Sequence, residues 1–354
     1  MTTNKHKDIG IDIPDTPQPI PYIDPDPLVQ ATKLEYAETM QNKYSNNLVG
    51  IDFKKGKKRE LSDYLEVDVE NLTITFDKSV VKGVNPNDTV IYDMVMENYR
   101  KLNSKDKNPF IEISIEDYMA ERGIDEVRTA RYHLEHFYNV YYNSSVELKG
   151  KEAGVSGSFR VIGLRLKDKG RGVYRFKLDE TYAKLMKTAG SLLYPTDLRK
   201  IDNVVHPQAF LIARKIYLNK RTNKTSPQAD RLSVKSLLHA TTLPDYEHEK
   251  NSTRHQTDRI MRPFLSELLY LVERGYFKVD VLSSGDTYDL AEFANMRELG
   301  WGEFYNSMLI FRDWKNYPNE ELTKLERQKA NHVKKAIRAK EKQNRQKAKQ
   351  FNKK

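Results

Sequence analysis

From Asn87 onward, apolar positions recur at helical and then at strand spacing, and the order of those spacings is informative. Residues 87–102, NDTVIYDMVMENYRKL, place Val90, Ile91, Met94, Val95 and Tyr99 on one side of a helix. FIEIS (110–114) alternates as a short strand, and IEDYMAERG (115–123) reads as a brief helix closed by glycine. In the next helix Val127, Ala130, Leu134, Phe137 and Tyr141 form an apolar stripe, with Asp125 expected to cap its first turn. Its remaining face carries Arg128, Thr129, Arg131 and Tyr132, then His133 and His136. Three strand-like runs follow, SSVELKG (144–150), FRVIGLRL (159–166) and GVYRFKL (172–178). KDKGRG, with Lys167, Lys169 and Arg171, joins the last two.

Helix, strand, helix, helix and β-hairpin is the order of a winged helix, with KDKGRG at the wing tip. The order recurs. HPQAFLIARKIYLNK (206–220) is amphipathic, and RLSVKSLLHATTL (231–243) holds a short strand entry and a helix. Residues 251–275 form a long helical stretch with Ile260, Phe264, Leu268 and Leu271 on one face. YFKVDVL (276–282) and SMLIFRDW (307–314) read as strands, separated by an insertion at 283–306. In this second copy Ser252 or Thr253 offers an N-cap, and Arg254, Thr257, Arg259 and Arg262 occupy the places of Arg128, Thr129 and Arg131. Pro263 is expected to kink the helix. The two copies share pattern and almost no identity.

The flanks differ. Residues 1–27 hold six prolines, too closely spaced for helix or sheet, which predicts an extended or disordered arm. A short helix is expected over about 28–44, a basic turn at KKGKKRE (54–60), and a hairpin over 64–76 with Glu70-Asn71 at its turn. The C-terminal stretch from Leu322 has no glycine or proline after Pro318, many helix formers and few apolar residues. It predicts a protruding basic helix, or a coil that becomes helical on an anionic surface. The expected fold class is α+β: a lead-in over 1–86, tandem winged helices over 87–200 and 201–316, and a basic tail over 317–354.

Charge sharpens this picture. The 354 residues carry a net +10, but residues 321–354 alone hold 13 Lys+Arg against 3 Asp+Glu. The preceding 320 residues therefore balance at 47 of each sign, so an anion-binding groove there must come from local arrangement. Cationic helix starts, cationic wing candidates and a tail containing Lys334, Lys335 and Arg338 point together to nucleic acid. Arginines near helix starts suit guanine O6 and N7.

Enzymatic chemistry finds no support. With no cysteine, disulfides and thiolate metal sites are excluded. No H-E-x-x-H pair, no histidine–apolar–histidine metal triplet and no G-x-x-x-x-G-K-[ST] loop is present. GKEAGVSGS (150–158) lies between strands and lacks the following helix of a phosphate cradle. His133 and His136 suit phosphate contacts or satisfied surface groups better than metal ligands, so no catalytic residue, metal or cofactor is expected. No apolar run approaches a membrane span, and MTTNKHKDIGIDIPDTPQP lacks a signal-peptide core, which predicts a cytoplasmic protein without membrane partners.

The segment DRIMRPFLSELL (258–269), within tandem winged helices over about 87–314, resembles the iteron-binding initiators of plasmid, phage and other mobile-element replication. The family's corresponding helix carries arginine before an apolar-x-Pro step. The resemblance implies binding to direct repeats of double-stranded DNA at an origin, opening of an adjacent AT-rich segment, recruitment of host replication proteins such as a helicase, and a possible homodimer. It implies Arg254, His255, Thr257, Asp258, Arg259 and Arg262 as the main reading positions, with Arg128, Thr129, Arg131 and Tyr132 as partners. The Pro-rich arm, the 283–306 insertion and the basic tail depart from the family. A transcriptional or partition regulator on the same fold is the alternative, and a nicking or priming enzyme the third class.

Overall fold

The structure, a computed structural model, describes residues 35–41, 57–60, 64–69, 72–77, 86–102, 109–152, 155–168, 172–186, 189–223, 226–244, 256–315 and 317. The Pro-rich arm and the basic tail lie outside them. The fold class is α+β. The lead-in contributes strands β1 (Tyr36–Gln41), β2 (Lys57–Glu60), β3 (Tyr64–Val69) and β4 (Leu72–Asp77). Next come helix α1 (Pro86–Lys101), strand β5 (Ile111–Ser114), helix α2 (Ile115–Arg122) and helix α3 (Val127–Asn143). Strands β6 (Ser145–Glu152), β7 (Val155–Arg160), β8 (Ile162–Asp168) and β9 (Val173–Leu178) follow, then helix α4 (Glu180–Met186) and strand β10 (Gly190–Pro195).

A 3₁₀ turn over Thr196–Lys200 leads into helix α5 (Ala209–Thr222), strand β11 (Arg231–Ser233) and helix α6 (Val234–Leu238). A π-helical turn over Thr257–Met261 runs directly into helix α7 (Arg262–Glu273). Strands β12 (Lys278–Ser283) and β13 (Asp286–Asp289), helices α8 (Leu290–Ala294) and α9 (Trp301–Asn306), and strand β14 (Met308–Arg312) complete the described chain.

Two small antiparallel sheets organise the halves. In the first, β5 pairs with β9 and β9 with β8; in the second, the order is β11-β14-β12-β13. Sequence-local chemistry sets the joints. Ser114 accepts a bond from the Asp117 amide at 2.9 Å and caps α2, while Gly123 closes it at φ 61°, a left-handed conformation costly for a residue with a Cβ. Gly172, at φ 63°, packs against Ile115, and its carbonyl accepts from the Ile115 amide at 3.0 Å, which ties the β8–β9 hairpin to the start of α2.

The lead-in differs from expectation in two places. Residues 36–41 were expected within a helix, and they form β1, paired in full register with β10 from Tyr36↔Pro195 to Gln41↔Gly190. YAETMQ is rich in helix formers, but pairing and burial of Ala37, Thr39 and Met40 override propensity. Residues 57–60 of the expected basic turn are strand β2, paired with β3. The 64–76 hairpin forms, closing with Val69 opposite Leu72. Its strand β4 pairs with β6, so β2, β3, β4, β6 and β7 share one five-stranded sheet. The run 159–166 divides at Val161: β7 joins that sheet, and β8 joins the β5–β9 sheet.

The halves meet at a buried charge network. Asp93 of α1 and Arg214 of α5 are both fully buried and form a two-pronged ion pair, 2.7 Å at each contact. Tyr194 of β10 donates to the same carboxylate at 3.0 Å, and Arg199 donates to the Tyr194 hydroxyl at 3.0 Å. Arg199 also reaches Glu97 at 2.7 Å and Glu121 at 3.2 Å, and Arg122 donates to the Arg199 carbonyl. Burial works against the Arg214 charge, but the Asp93 carboxylate outweighs it and holds the pKa above the usual arginine value. One continuous apolar core surrounds this network and runs through both halves.

Because either charge alone would be buried and uncompensated, Asp93→Asn or Arg214→Met is expected to cost about 3–5 kcal/mol in urea denaturation. The double variant Asp93→Leu/Arg214→Met should recover most of that loss. Additive losses in the double variant would contradict the pairing.

Candidate nucleic-acid interface

Helix α3 turns a clean apolar side inward: Ala130, Leu134, Phe137 and Tyr141 are buried, while Arg128, Arg131 and Tyr132 are exposed, Tyr132 at 66%. Val127, expected in the stripe, is instead 48% exposed, and the cap position is Glu126 rather than Asp125. The cause is upstream. After Gly123 the chain folds back, with the Ile124 amide bonded to the Met119 carbonyl at 3.0 Å, and α3 begins only after residues 124–126 have made the turn. Glu126 makes no side-chain cap bond; its carboxylate instead accepts from the half-buried Thr129 hydroxyl. Thr129 is thus the most constrained of the four expected reading positions.

The two histidines are structural. The Asn87 amide oxygen accepts from Arg122 and Asn203, both at 3.0 Å, which leaves its nitrogen to donate to His133 Nε2 at 3.3 Å. His133 Nδ1 then carries the proton toward the Tyr118 hydroxyl, 3.1 Å away. Burial, reinforced by the Arg122 charge, pushes the His133 pKa down to about 4. His136 meets the buried Asp88 carboxylate at 2.9 Å, and that hydrogen bond raises its pKa. Both satisfy partners on α1, so of the alternatives read from sequence the satisfied groups stand. Asn87, Asp88 and Arg122, far off in sequence, gave no periodic signal.

Of the first hairpin, Lys167 lies in β8, while Lys169 and Arg171 fall outside the described residues. A different cation lies over α3. Arg165 sits between the rings of Tyr138 and Tyr142, 4.5 and 4.4 Å from their centres, and donates to Asn139 at 2.6 Å. Sequence alone had no means of finding this arrangement.

In the second half Thr257, Asp258 and Arg259 are exposed on the π-helical turn, and Arg262 is half-buried. Arg262 pairs with Asp258 at 3.3 Å, an exposed contact of small energetic weight. Arg254, His255, the Ser252 or Thr253 cap, and the tail positions Lys334, Lys335 and Arg338 lie outside the described residues. The kink expected at Pro263 takes the form of this π turn: the Arg262 amide bonds five residues back, to Thr257. The wider turn eases the clash of the proline ring with the carbonyl four residues earlier.

Glu267 of α7 faces the start of α5, accepting from the Gln208 amide at 3.3 Å, and burial raises its pKa to about 7. His206, 3.2 Å from that carboxylate, stacks on Tyr270.

The second copy has no cationic wing among its described residues. Residues 283–306 fold into β13, α8 and α9, with five acidic side chains and one arginine. Phe293 and Phe304 are fully buried, Phe304 edge-on to Phe264 of α7, and Ser307 donates to Ser283 at 2.9 Å across the base of the insertion. The apolar positions at 290, 293 and 304 make this a packed element.

No helix among the described residues is long and apolar enough to cross a membrane. No family model and no curated protein matches the chain. Among solved structures, the crystal structure of domain 2 and domain 3 of RctB is similar at 12% identity and a TM-score of 0.39, over 81% of this chain and 96% of that one.

The His133 geometry has a pH consequence. Its folded pKa lies below that of the unfolded imidazole, so its stability contribution is complete above about pH 6.5 and is lost as pH falls toward 4. A histidine NMR titration should show His133 neutral down to about pH 4, with His136 titrating above the ordinary value. A His133 midpoint near 6.5 would contradict the assignment.

Proposed function

We propose that this chain is a non-enzymatic, sequence-specific DNA-binding protein that initiates replication at an origin carrying repeated sites. The reading rests on one observation. Two units of like order, helix–strand–helix–helix–hairpin, each expose polar and cationic residues at the start of the last helical segment: Arg128, Arg131 and Tyr132 in one, and Thr257, Asp258 and Arg259 in the other. The pairing β5-β9-β8 in the first and β11-β14-β12 in the second supports reading the units, over 87–200 and 201–316, as winged helices. In winged-helix and related folds this helix enters the major groove, where arginine can bond guanine with two prongs.

The choice of initiator over regulator rests on the resemblance of DRIMRPFLSELL, the segment that forms the π turn and the start of α7. On this reading the chain binds double-stranded repeats, helps open the neighbouring duplex and brings in host replication proteins such as a helicase, alone or as a homodimer. It needs no cofactor and works in the cytoplasm. The tail, with Lys334, Lys335 and Arg338, adds phosphate contacts that carry no sequence information.

The test is binding of the whole chain, and of a chain ending at residue 320, to fragments of the DNA element that encodes it, over a salt series. Both should prefer one repeat-containing fragment, with a shallower salt slope for the shorter chain. Loss of all binding on truncation, with no fragment preferred by the whole chain, would reduce the DNA activity to the tail.

A further inference from the structure

Several arginines of the described body are paired with carboxylates: Arg175 with Glu112, Arg312 with Asp280, Arg100 with Glu38, and the buried Arg199 and Arg214 with the carboxylates described above. Arg160 and Arg165 differ. Arg160 lies 5.1 Å from the Tyr142 ring centre, and Arg165 fills the slot between Tyr142 and Tyr138. The only side-chain hydrogen bond of Arg165 among the described residues is to the neutral amide of Asn139. Tyrosines four apart on one helix face make such a slot for a planar guanidinium. A cation held by aromatic faces and an amide keeps its full charge and has already lost its side-chain freedom, so an incoming anion need not order it.

The location gives the anion. At 100° per residue, Asn139 and Tyr142 share the outward face of α3 with Arg128, Arg131 and Tyr132. Asn139 lies eleven residues past Arg128, about 16 Å along the axis at 1.5 Å per residue. Arg165 reaches this face from β8, on the side of the sheet shared with the buried Phe176, its register partner. Leu164 and Leu166 occupy the opposite side. Glu135, also on this face, accepts from Tyr174 at 3.3 Å.

The geometry points to a phosphodiester clamp: Arg160 and Arg165, set by Tyr138, Asn139 and Tyr142, hold the DNA backbone that flanks the groove occupied by the start of α3. This rests on the DNA-binding reading above and extends the interface by a cation pair outside the helix itself.

Fluorescence anisotropy over a salt series tests it, with the full chain and the preferred and non-preferred duplexes. Two lost phosphate contacts lower the logarithmic salt slope by about 1.8 and weaken binding roughly 50-fold at 0.1 M salt. Arg160→Gln/Arg165→Gln should show this loss equally on both duplexes, leaving their ratio unchanged, and Arg165→Lys should restore part of the slope. Arg175→Gln, on the opposite side of the sheet, should bind as wild type. A thermal melt checks folding, and if the double variant melts early, Arg165→Lys and Arg160→Gln alone carry the comparison. A wild-type slope in the variants, beside sequence-specific wild-type binding, overturns the clamp alone. Absence of any duplex binding by the wild type overturns the DNA-binding reading and the clamp with it.

Discussion

Asp93 and Arg214 are 121 positions apart, and both charges are fully buried. Each is tolerable only because the other is there, in a two-pronged contact with Tyr194 bonded to the same carboxylate. The pair joins α1, the first helix of one unit, to α5, the first helix of the other. From it the network extends through Arg199 to Glu97 and Glu121, and through Arg122 to Asn87 and thence His133. The charges that hold the halves together are therefore linked, bond by bond, to the residues packed under α3.

This explains why β1 is a strand. The β1–β10 ribbon lies where the halves meet, with Thr39 donating to the Asp93 carbonyl and Tyr194 to its carboxylate. Isolated, a two-stranded ribbon is marginal. Here its residues add hydrogen bonds to Asp93 of the buried ion pair. A shift of one residue would exchange buried Ala37 for half-exposed Glu38 and take Tyr194 away from Asp93. The arrangement fixes the orientation of α3 relative to α7, since each packs on a helix held by the pair.

Elements whose signal is local were legible in the sequence. The stripe of α1, the Gly123 stop of α2, the β8–β9 hairpin and the buried face of α7 each rest on spacing within a few turns. What was missed depends on distant partners. YAETMQ has helical propensity and becomes a strand through β10. Val127 lost its place in the stripe to the turn that Gly123 begins. Residues 283–306 read as an interruption because their apolar positions are split between two short helices and are buried against α6, α7 and β12, partners distant in sequence. For the interface, exposure of Arg128, Arg131 and Tyr132 followed from the helical wheel. The tyrosine slot around Arg165 did not, because β8 supplies the cation and α3 the rings.

One buried ion pair holds the helices α3 and α7 as parts of a single body. The absence of cysteine makes a direct test clean: spin labels on cysteines placed at Asn143 and Ser266, exposed at the end of α3 and on α7, report the distance between the units. Pulsed electron spin resonance on the free protein should give one narrow distance distribution, broadened when Asp93→Asn is introduced. A broad distribution in the otherwise native chain, or a narrow one indifferent to Asp93→Asn, would contradict it.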